Sequence, residues 1–96
     1  MKKIKIAIIG SGGHAKSCIE VIESIKNIDI VGLIDNDLKK KIGKYKVVCD
    51  EKNIFKLKKI TKNLVLGVGS LNNNSKRINI FNKYKKLGFK FPTLVS

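Results

Sequence analysis

The chain has 96 residues, which is enough for one small domain with a modest core. Its hydrophobic content of 43% excludes a disordered chain, and its formal net charge of +14 comes almost entirely from lysine, because Arg77 is the only arginine. Nucleic-acid binding is one explanation of such a charge. Proteins that read nucleic acids usually add arginine forks and stacked aromatic rings, whereas this chain has four phenylalanines, two tyrosines and no tryptophan. We therefore favour a solvated lysine surface over nucleic-acid binding.

The two cysteines, Cys18 and Cys49, form neither a C-x-x-C pair nor a metal-ligand spacing. Cys18 falls on an apolar helical stripe, which is typical of a buried thiol. The apolar run at residues 4–9 is too short for a signal peptide, and no apolar segment has the length of a membrane span. We expect a cytoplasmic protein that has no metal site and no membrane partner.

The first predicted elements are a strand, a glycine turn and a helix. Isoleucine-rich residues 4–9 predict a buried parallel strand, and the periodicity of residues 13–26 predicts a helix with Ser11 or Gly12 near its N-cap. Gly10, Gly12 and Ala15 occupy the positions of a G-x-G-x-x-G/A fingerprint. In that fingerprint the first glycine allows the turn, the second admits a ligand to the backbone, and the third small residue lets helix and strand pack closely.

The later elements continue this alternation of strands and helices. After the first helix we predict a strand at 29–34, a turn at 35–37, a mobile loop at 37–44 and an edge strand at 45–49. A helix at 51–59, capped by Asp50, and a central strand at 63–68 follow. The last predicted elements are a helix that is capped by Asn74 or Ser75 and ends near Leu87 before Gly88, and a short strand from Phe91. We therefore predict one α/β domain over residues 1–96, a small Rossmann-like parallel sheet with helices on both faces.

The candidate ligand-binding residues lie where the predicted strands end. The glycine turn aims backbone N–H groups and a helix N-terminus at an anion, usually a phosphate. An acid follows the second strand at roughly the ~20-residue spacing at which such folds hold a ribose hydroxyl. The predicted binding residues are Gly10, Ser11, Gly12, Gly13, His14, Asp35 and Asn36, together with Gly69 and Ser70 after the strand at 63–68. Lys16, Asp37 and Arg77 are weaker candidates, and Phe81 and Tyr84 are predicted core residues.

Three segments of the chain resemble one family. They are Ile-Ile-Gly-Ser-Gly-Gly-His-Ala-Lys at 8–16, Val-Gly-Leu-Ile-Asp-Asn-Asp at 31–37 and Gly-Phe-Lys-Phe-Pro-Thr-Leu-Val at 88–95. They resemble the N-terminal domain of bacterial acetyltransferases that modify sialic acid, bacillosamine or perosamine precursors, and the likeness covers essentially the whole chain. One departure is that Ser70 stands where the family usually has an acid or amide, and asparagines intervene before Arg77. This departure leaves the base and the sugar open.

The resemblance implies a function that spacing alone does not. In that family the small domain binds a nucleotide-linked amino sugar, commonly UDP-linked. A left-handed parallel β-helix follows, trimerises, and carries acetyl-CoA and the catalytic histidine. His14, the only histidine, lies in the phosphate loop and does not match that base. We therefore expect a substrate-binding domain without catalytic residues, whose acetyl-CoA site and β-helix lie outside this chain and which is compatible with a monomer on its own.

Two other functions remain open at this point. A nucleotide- or NAD-binding module of an oxidoreductase or epimerase would share the glycine fingerprint, although the chain shows no catalytic Tyr/Lys or Cys constellation. A basic nucleic-acid-binding domain would explain the charge, and its affinity would fall steeply with salt.

Overall fold

A computed structural model describes residues 3–67 and 74–92, without the side chains of residues 74 and 76. Its elements in chain order are β1 (Ile4–Ile9), α1 (Gly13–Glu23), β2 (Ile28–Ile34), β3 (Lys41–Ile42), β4 (Tyr45–Cys49), a 3-10 turn (Glu51–Asn53) that leads into α2 (Ile54–Leu57), β5 (Leu64–Leu66) and α3 (Asn74–Lys86). Within the described ranges, no helix is both long and apolar enough to cross a membrane.

The sheet has five strands in the order β3-β4-β2-β1-β5. β1 pairs in parallel with both β2 and β5, and β4 pairs in parallel with β2, whereas the short β3 runs antiparallel to β4. From β1 the chain therefore builds the sheet first to one side and later to the other. Such a reversal next to β1 is the place where open α/β sheets form a crevice at the carboxyl ends of their strands. The predicted Rossmann-like class is confirmed.

β1 is buried on both sides because helices pack against both faces of the sheet. Ile6 and Ile8 pack with Ala15, Ile19 and Ile22 of α1. The alternate residues of β1 face a second cluster, which contains Ala7, Ile9, Ile34, Cys49, Ile54, Leu57, Leu64, Tyr84 and Phe89. Each face of β1 thus has its own apolar layer, as expected for a central parallel strand.

Polar groups at the amino end of the sheet bond to one another. The buried hydroxyl of Thr61 donates to the carbonyl of Lys5 at 2.6 Å and accepts from the amide of Asn63 at 3.1 Å. The amide of Ile4 donates to the carbonyl of Asn27 at 2.7 Å. These bonds fix the starts of β1, β2 and β5.

Several predicted elements needed correction near β4. The loop predicted at 37–44 contains β3, because Gly43 at φ +57° allows a two-residue turn back into β4. β4 is therefore not an edge strand. Among the described residues β5 is the last strand on its side of the sheet rather than a central one, and a single bridge, between Asn63 and Lys90, lies beyond it. The strand predicted from Phe91 lies mostly outside the described residues.

The helix boundaries also differ from the predicted ones. α1 ends at Glu23 rather than at residue 26, since Ser24 bonds back to the Val21 carbonyl through both its amide and its hydroxyl. The helix predicted at 51–59 is a 3-10 turn followed by a single turn of α-helix. Asn53, at φ −106° and ψ 20°, interrupts it. The predicted cap is correct, because Asp50 accepts from the amide of Asn53 at 2.9 Å.

Candidate functional site

The turn between β1 and α1 forms a corner at the carboxyl end of the sheet. Gly10 has φ +108°, a conformation that L side chains rarely adopt, and its amide donates to the carbonyl of Ile34 at 2.8 Å. This bond ties the corner to the end of β2. Gly10 therefore has the turn-forming role that the fingerprint predicts.

Gly12 and Gly13 have no comparable need for glycine within the protein. Gly12 is the N-cap of α1 in an extended conformation, at φ −94°, and Gly13 opens the helix. A Cβ atom added to either residue would meet nothing within 4 Å. The absent side chains thus leave open space directly in front of the helix N-terminus.

The first turn of α1 presents unused hydrogen-bond donors to this space. No side chain caps Gly12, and the first turn carries no acid, among the residues that the structure describes. The amide of Lys16 is the first to bond within the helix, to the carbonyl of Gly12 at 3.1 Å. The amides before it have no intrahelical acceptor. Their partial positive charge favours an anion at the corner.

Asp35 joins the end of β2 to the corner. One carboxylate oxygen accepts from the hydroxyl of Ser11, and the other accepts from the amide of Asp37 at 2.9 Å. The Asp37 amide and then the Ser11 hydroxyl hold the pKa of the Asp35 carboxyl below its ordinary value. Because its pKa is lowered, the carboxyl is ionised at neutral pH, and because the residue is only half-buried, a ligand can still reach it.

Two depressions flank the corner. The first, which we call the Asp35 cleft, measures about 190 Å³ and is lined by Ile9, Gly10, Ile34, Asp35, Asn36, Glu51, Ile80 and Tyr84. The second, the α1 groove, measures about 350 Å³ and is lined by His14, Ser17, Cys18, Val21, Ile22, Ile25 and Val65. The corner thus has one depression on the side of Asp35 and another on the side of His14.

The structure brings most of the predicted binding residues together. Gly10, Ser11, Gly12, Gly13 and Asp35 form the corner. Exposed His14 stands at one side of it. On the other side, Asn36 accepts through its side-chain oxygen from the amide of Glu51 at 3.3 Å.

The other predicted residues either lie outside the described residues or are exposed on the surface. Gly69 and Ser70 lie outside the described residues. Lys16, Asp37 and Arg77 are exposed, and Arg77 borders a separate depression beside Ile78. In the described ranges, no His, Cys, Asp and Glu side chains cluster in a way that could hold a metal ion.

Gly67 is a glycine at this end of the sheet that the fingerprint does not mark. Its amide donates to the carbonyl of Ile9 at 2.8 Å. A Cβ atom on Gly67 would lie 2.6 Å from Cγ2 of Ile8 and 2.9 Å from Cβ of Ala15. Gly67 thus lets β5 pass under the start of α1. The change from an apolar run to glycine was a signal for it in the sequence.

Sequence reasoning did not predict that Tyr84 and Glu51 line the Asp35 cleft. Tyr84 was predicted as core, and it is 1% exposed. Glu51 was predicted only as the start of a helix, yet it contacts Lys83 of α3 at 3.3 Å along the rim. A tyrosine on a core stripe, where phenylalanine would pack as well, was the available signal.

Comparison with known proteins gives a family match and a set of structural relatives. Residues 5–84 match the family described as the PglD N-terminal domain. Two mutants of the perosamine N-acetyltransferase of Caulobacter crescentus, each in complex with CoA and GDP-perosamine, match with a TM-score of 0.74 and 26% identity, over 88% of this chain and 39% of theirs. The acetyltransferase domain of PglB from Neisseria gonorrhoeae FA1090 matches with a TM-score of 0.75 and 25% identity, over 94% of this chain and 43% of that one.

This chain therefore spans about two fifths of the length of these solved structures. A search of curated proteins gives no significant match.

Proposed function

Because the chain belongs to the family of PglD N-terminal domains, we propose that it binds a nucleotide-linked amino sugar and positions it for acetyl transfer. Acetyl-CoA and the catalytic base of the full-length protein would lie outside this chain. The Caulobacter crescentus relative, whose structure contains CoA and GDP-perosamine, supports a nucleotide-sugar substrate and an acetyl-CoA donor for the full-length protein. The proposal includes a cytoplasmic location, which the cysteines and the apolar segments favour, and a trimeric full-length protein, which the family resemblance implies.

The observation that carries the proposal is the open space at Gly12 and Gly13. Neither glycine has a positive φ, and neither Cβ would touch another part of the described protein. Folding therefore gives no reason for glycine at these positions. A phosphate group that approaches the backbone amides does give one, because any side chain there would hold it away.

The arrangement around the corner fits a diphosphate that carries a nucleoside on one side and a sugar on the other. A diphosphate on the first turn of α1 would send its nucleoside toward Asp35, whose carboxylate accepts hydrogen bonds from ribose hydroxyls. The sugar would extend to the other side, past His14 and into the α1 groove. In this arrangement His14 meets the phosphate or the sugar, and neither Ser11 nor Asp35 has to leave its present hydrogen bond.

The contribution of such a domain to catalysis is positional. Fixing an acceptor amine or hydroxyl in reach of an acyl donor supplies several kcal/mol of the barrier, at the upper limit about 7–11 kcal/mol. No proton transfer by this chain is needed for that effect.

Calorimetric titration of the chain with UDP, GDP, CMP, NAD and a short RNA tests the proposal. We expect binding of at least one of the first three and a loss of at least about tenfold in Gly12→Val, because the added methyl groups occupy the phosphate space. Gly43→Asn is the matched control, since it replaces a glycine with φ +57° in the β3–β4 turn by a residue that accepts this conformation. Its affinity should equal that of the wild type.

Each other outcome has a defined meaning. Binding of NAD without any sugar nucleotide would favour the oxidoreductase alternative. RNA binding that Gly12→Val leaves unchanged would favour the nucleic-acid alternative. Sugar-nucleotide binding that tolerates Gly12→Val would overturn the placement of the diphosphate.

A further inference from the structure

Tyr84 carries a buried hydroxyl without a hydrogen-bond partner in the described part of the chain. Its ring is fully used by the core, where it packs edge-on against Phe89 with 5.9 Å between ring centroids. An unpaired buried polar group destabilises a fold, because it gives up its bonds to water and gains none within the protein. Phenylalanine would therefore serve this core at least as well, and the hydroxyl needs another explanation.

The position of Tyr84 supplies one. It lines the Asp35 cleft together with Gly10, Asp35, Asn36 and Glu51. Gly10 and Asp35 also belong to the phosphate corner. A nucleotide whose phosphates lie at the corner and whose ribose meets Asp35 would therefore bring its base to this cleft.

The chemistry of the cleft favours one edge of a base. Burial, with the Glu51 carboxylate nearby, raises the pKa of Tyr84 to about 12. The phenol thus keeps its proton at neutral pH and acts as a donor. The Glu51 carboxylate, when ionised, can only accept. A donor next to an acceptor matches a ring carbonyl adjacent to a ring N–H, the edge that uracil and guanine present.

Resting on the proposed function, we infer that the Asp35 cleft holds an oxo-bearing base, with Tyr84 Oη donating to a ring carbonyl oxygen and Glu51 accepting from the adjacent N–H. The hydroxyl is closed off from solvent without a ligand, so the rim must move. Glu51 is half-exposed, and its 3.3 Å pair with Lys83 is a surface contact. Exposed ion pairs contribute little to stability, so the cost of turning Glu51 toward a ligand is small.

The test uses Tyr84→Phe and compares UDP and GDP with CDP, ADP and pyrophosphate by calorimetry. The wild type should prefer UDP or GDP over CDP and ADP. In Tyr84→Phe that affinity should fall about 3- to 10-fold, the value of one neutral hydrogen bond, while pyrophosphate binding stays unchanged. Tyr45→Phe is the matched control, because the Tyr45 hydroxyl bonds Glu23 on the surface, away from the cleft.

Urea unfolding of the same variants supplies a second readout. Tyr84→Phe should be as stable as the wild type or more stable, because it removes an unpaired buried hydroxyl. A loss of stability well beyond that of Tyr45→Phe would mean that the hydroxyl is already bonded, and this would overturn the inference. So would unchanged UDP and GDP affinity in Tyr84→Phe. If the wild type binds no nucleotide at all, the proposed function fails and this inference fails with it.

Discussion

The polar groups at the two ends of the parallel sheet differ in whether they have hydrogen-bond partners within the protein. At the amino end, the Thr61 hydroxyl bonds both the Lys5 carbonyl, at 2.6 Å, and the Asn63 amide, at 3.1 Å. At the carboxyl end, the amides of the first turn of α1 face open space in front of Gly12, and the hydroxyl of Tyr84 has no partner among the described residues.

This difference separates residues that hold the fold together from residues that are available to a ligand. Donors and acceptors that pair with one another inside the protein contribute to folding and are less available to a ligand. A buried donor without a partner costs free energy, whereas exposed amides bond to water, and a ligand can pair with either kind. The carboxyl end is also the end at which open α/β sheets bind their ligands.

The largest effect on folding is expected from Gly67→Ala. The substitution tests whether residue 67 is tightly packed, in contrast to the open space at Gly12 and Gly13 at the same end of the sheet. A Cβ atom at residue 67 would lie 2.9 Å from the carbonyl oxygen of Ile9 and closer still to the side chain of Ile8. Overpacking of this kind costs about 1–3 kcal/mol, and because backbone is involved we expect the upper part of that range. Urea unfolding measures it, and a loss under about 0.5 kcal/mol, the size of an ordinary surface substitution, would contradict the close packing.

Thr61→Val tests the closed, amino end. Valine keeps the shape of threonine but removes the hydroxyl, which leaves the Lys5 carbonyl and the Asn63 amide without that partner. We expect a loss of about 1–3 kcal/mol in the free energy of unfolding. Ser17→Ala is the control, because its hydroxyl makes an exposed 3.3 Å bond to Gly13, and it should change stability by less than about 0.5 kcal/mol. Equal effects of the two substitutions would remove the distinction drawn for the amino end.

The sequence was sufficient for the outline of the fold and for the corner, because both depend on local signals. The β-branched run of β1, the glycine turn and the apolar stripe of α1 predicted the first β–α unit, and Asp50 correctly predicted a cap. The family resemblance was confirmed by the match over residues 5–84. The binding roles of the corner residues stay predictions.

What the sequence could not supply depends on pairing between distant segments. β5 reads as a central strand because it is apolar, but which strand lies beside it is a tertiary property. The pairing of β3 depends on the backbone angle at Gly43. The lysine-rich sequence around this glycine has no apolar alternation that would indicate a strand. The unpaired hydroxyl of Tyr84 became visible only when α3 was placed against the carboxyl end of the sheet.

Asp35→Asn tests the link between β2 and the corner through its pH dependence. The folded-state pKa of Asp35 is depressed, so its contribution to stability is present above the unfolded value, about 3.9, and is lost as the pH falls through the lower folded value. Because the carboxylate is half-exposed and therefore screened, we expect a difference of less than about 1 kcal/mol from the wild type. Urea unfolding at pH 7, 5, 4 and 3 should show a constant difference at the first two values and a shrinking one below. A difference that grows as the pH falls would show that the native contacts favour the protonated acid.

The smallest change in stability is expected from Gly13→Ala, and its sign separates the two explanations for glycine in the corner. If the fold required glycine there, alanine would destabilise the protein, as Gly67→Ala should. Gly13 instead opens α1, with space around its missing Cβ, and alanine is the better helix former by up to about 1 kcal/mol. We therefore expect a stability gain of a few tenths of a kcal/mol together with weaker binding of nucleoside diphosphates. Urea unfolding and calorimetry on the same preparation measure both. A variant that is less stable and binds as tightly as the wild type would mean that the glycine serves the fold and that the corner is not where the phosphates lie.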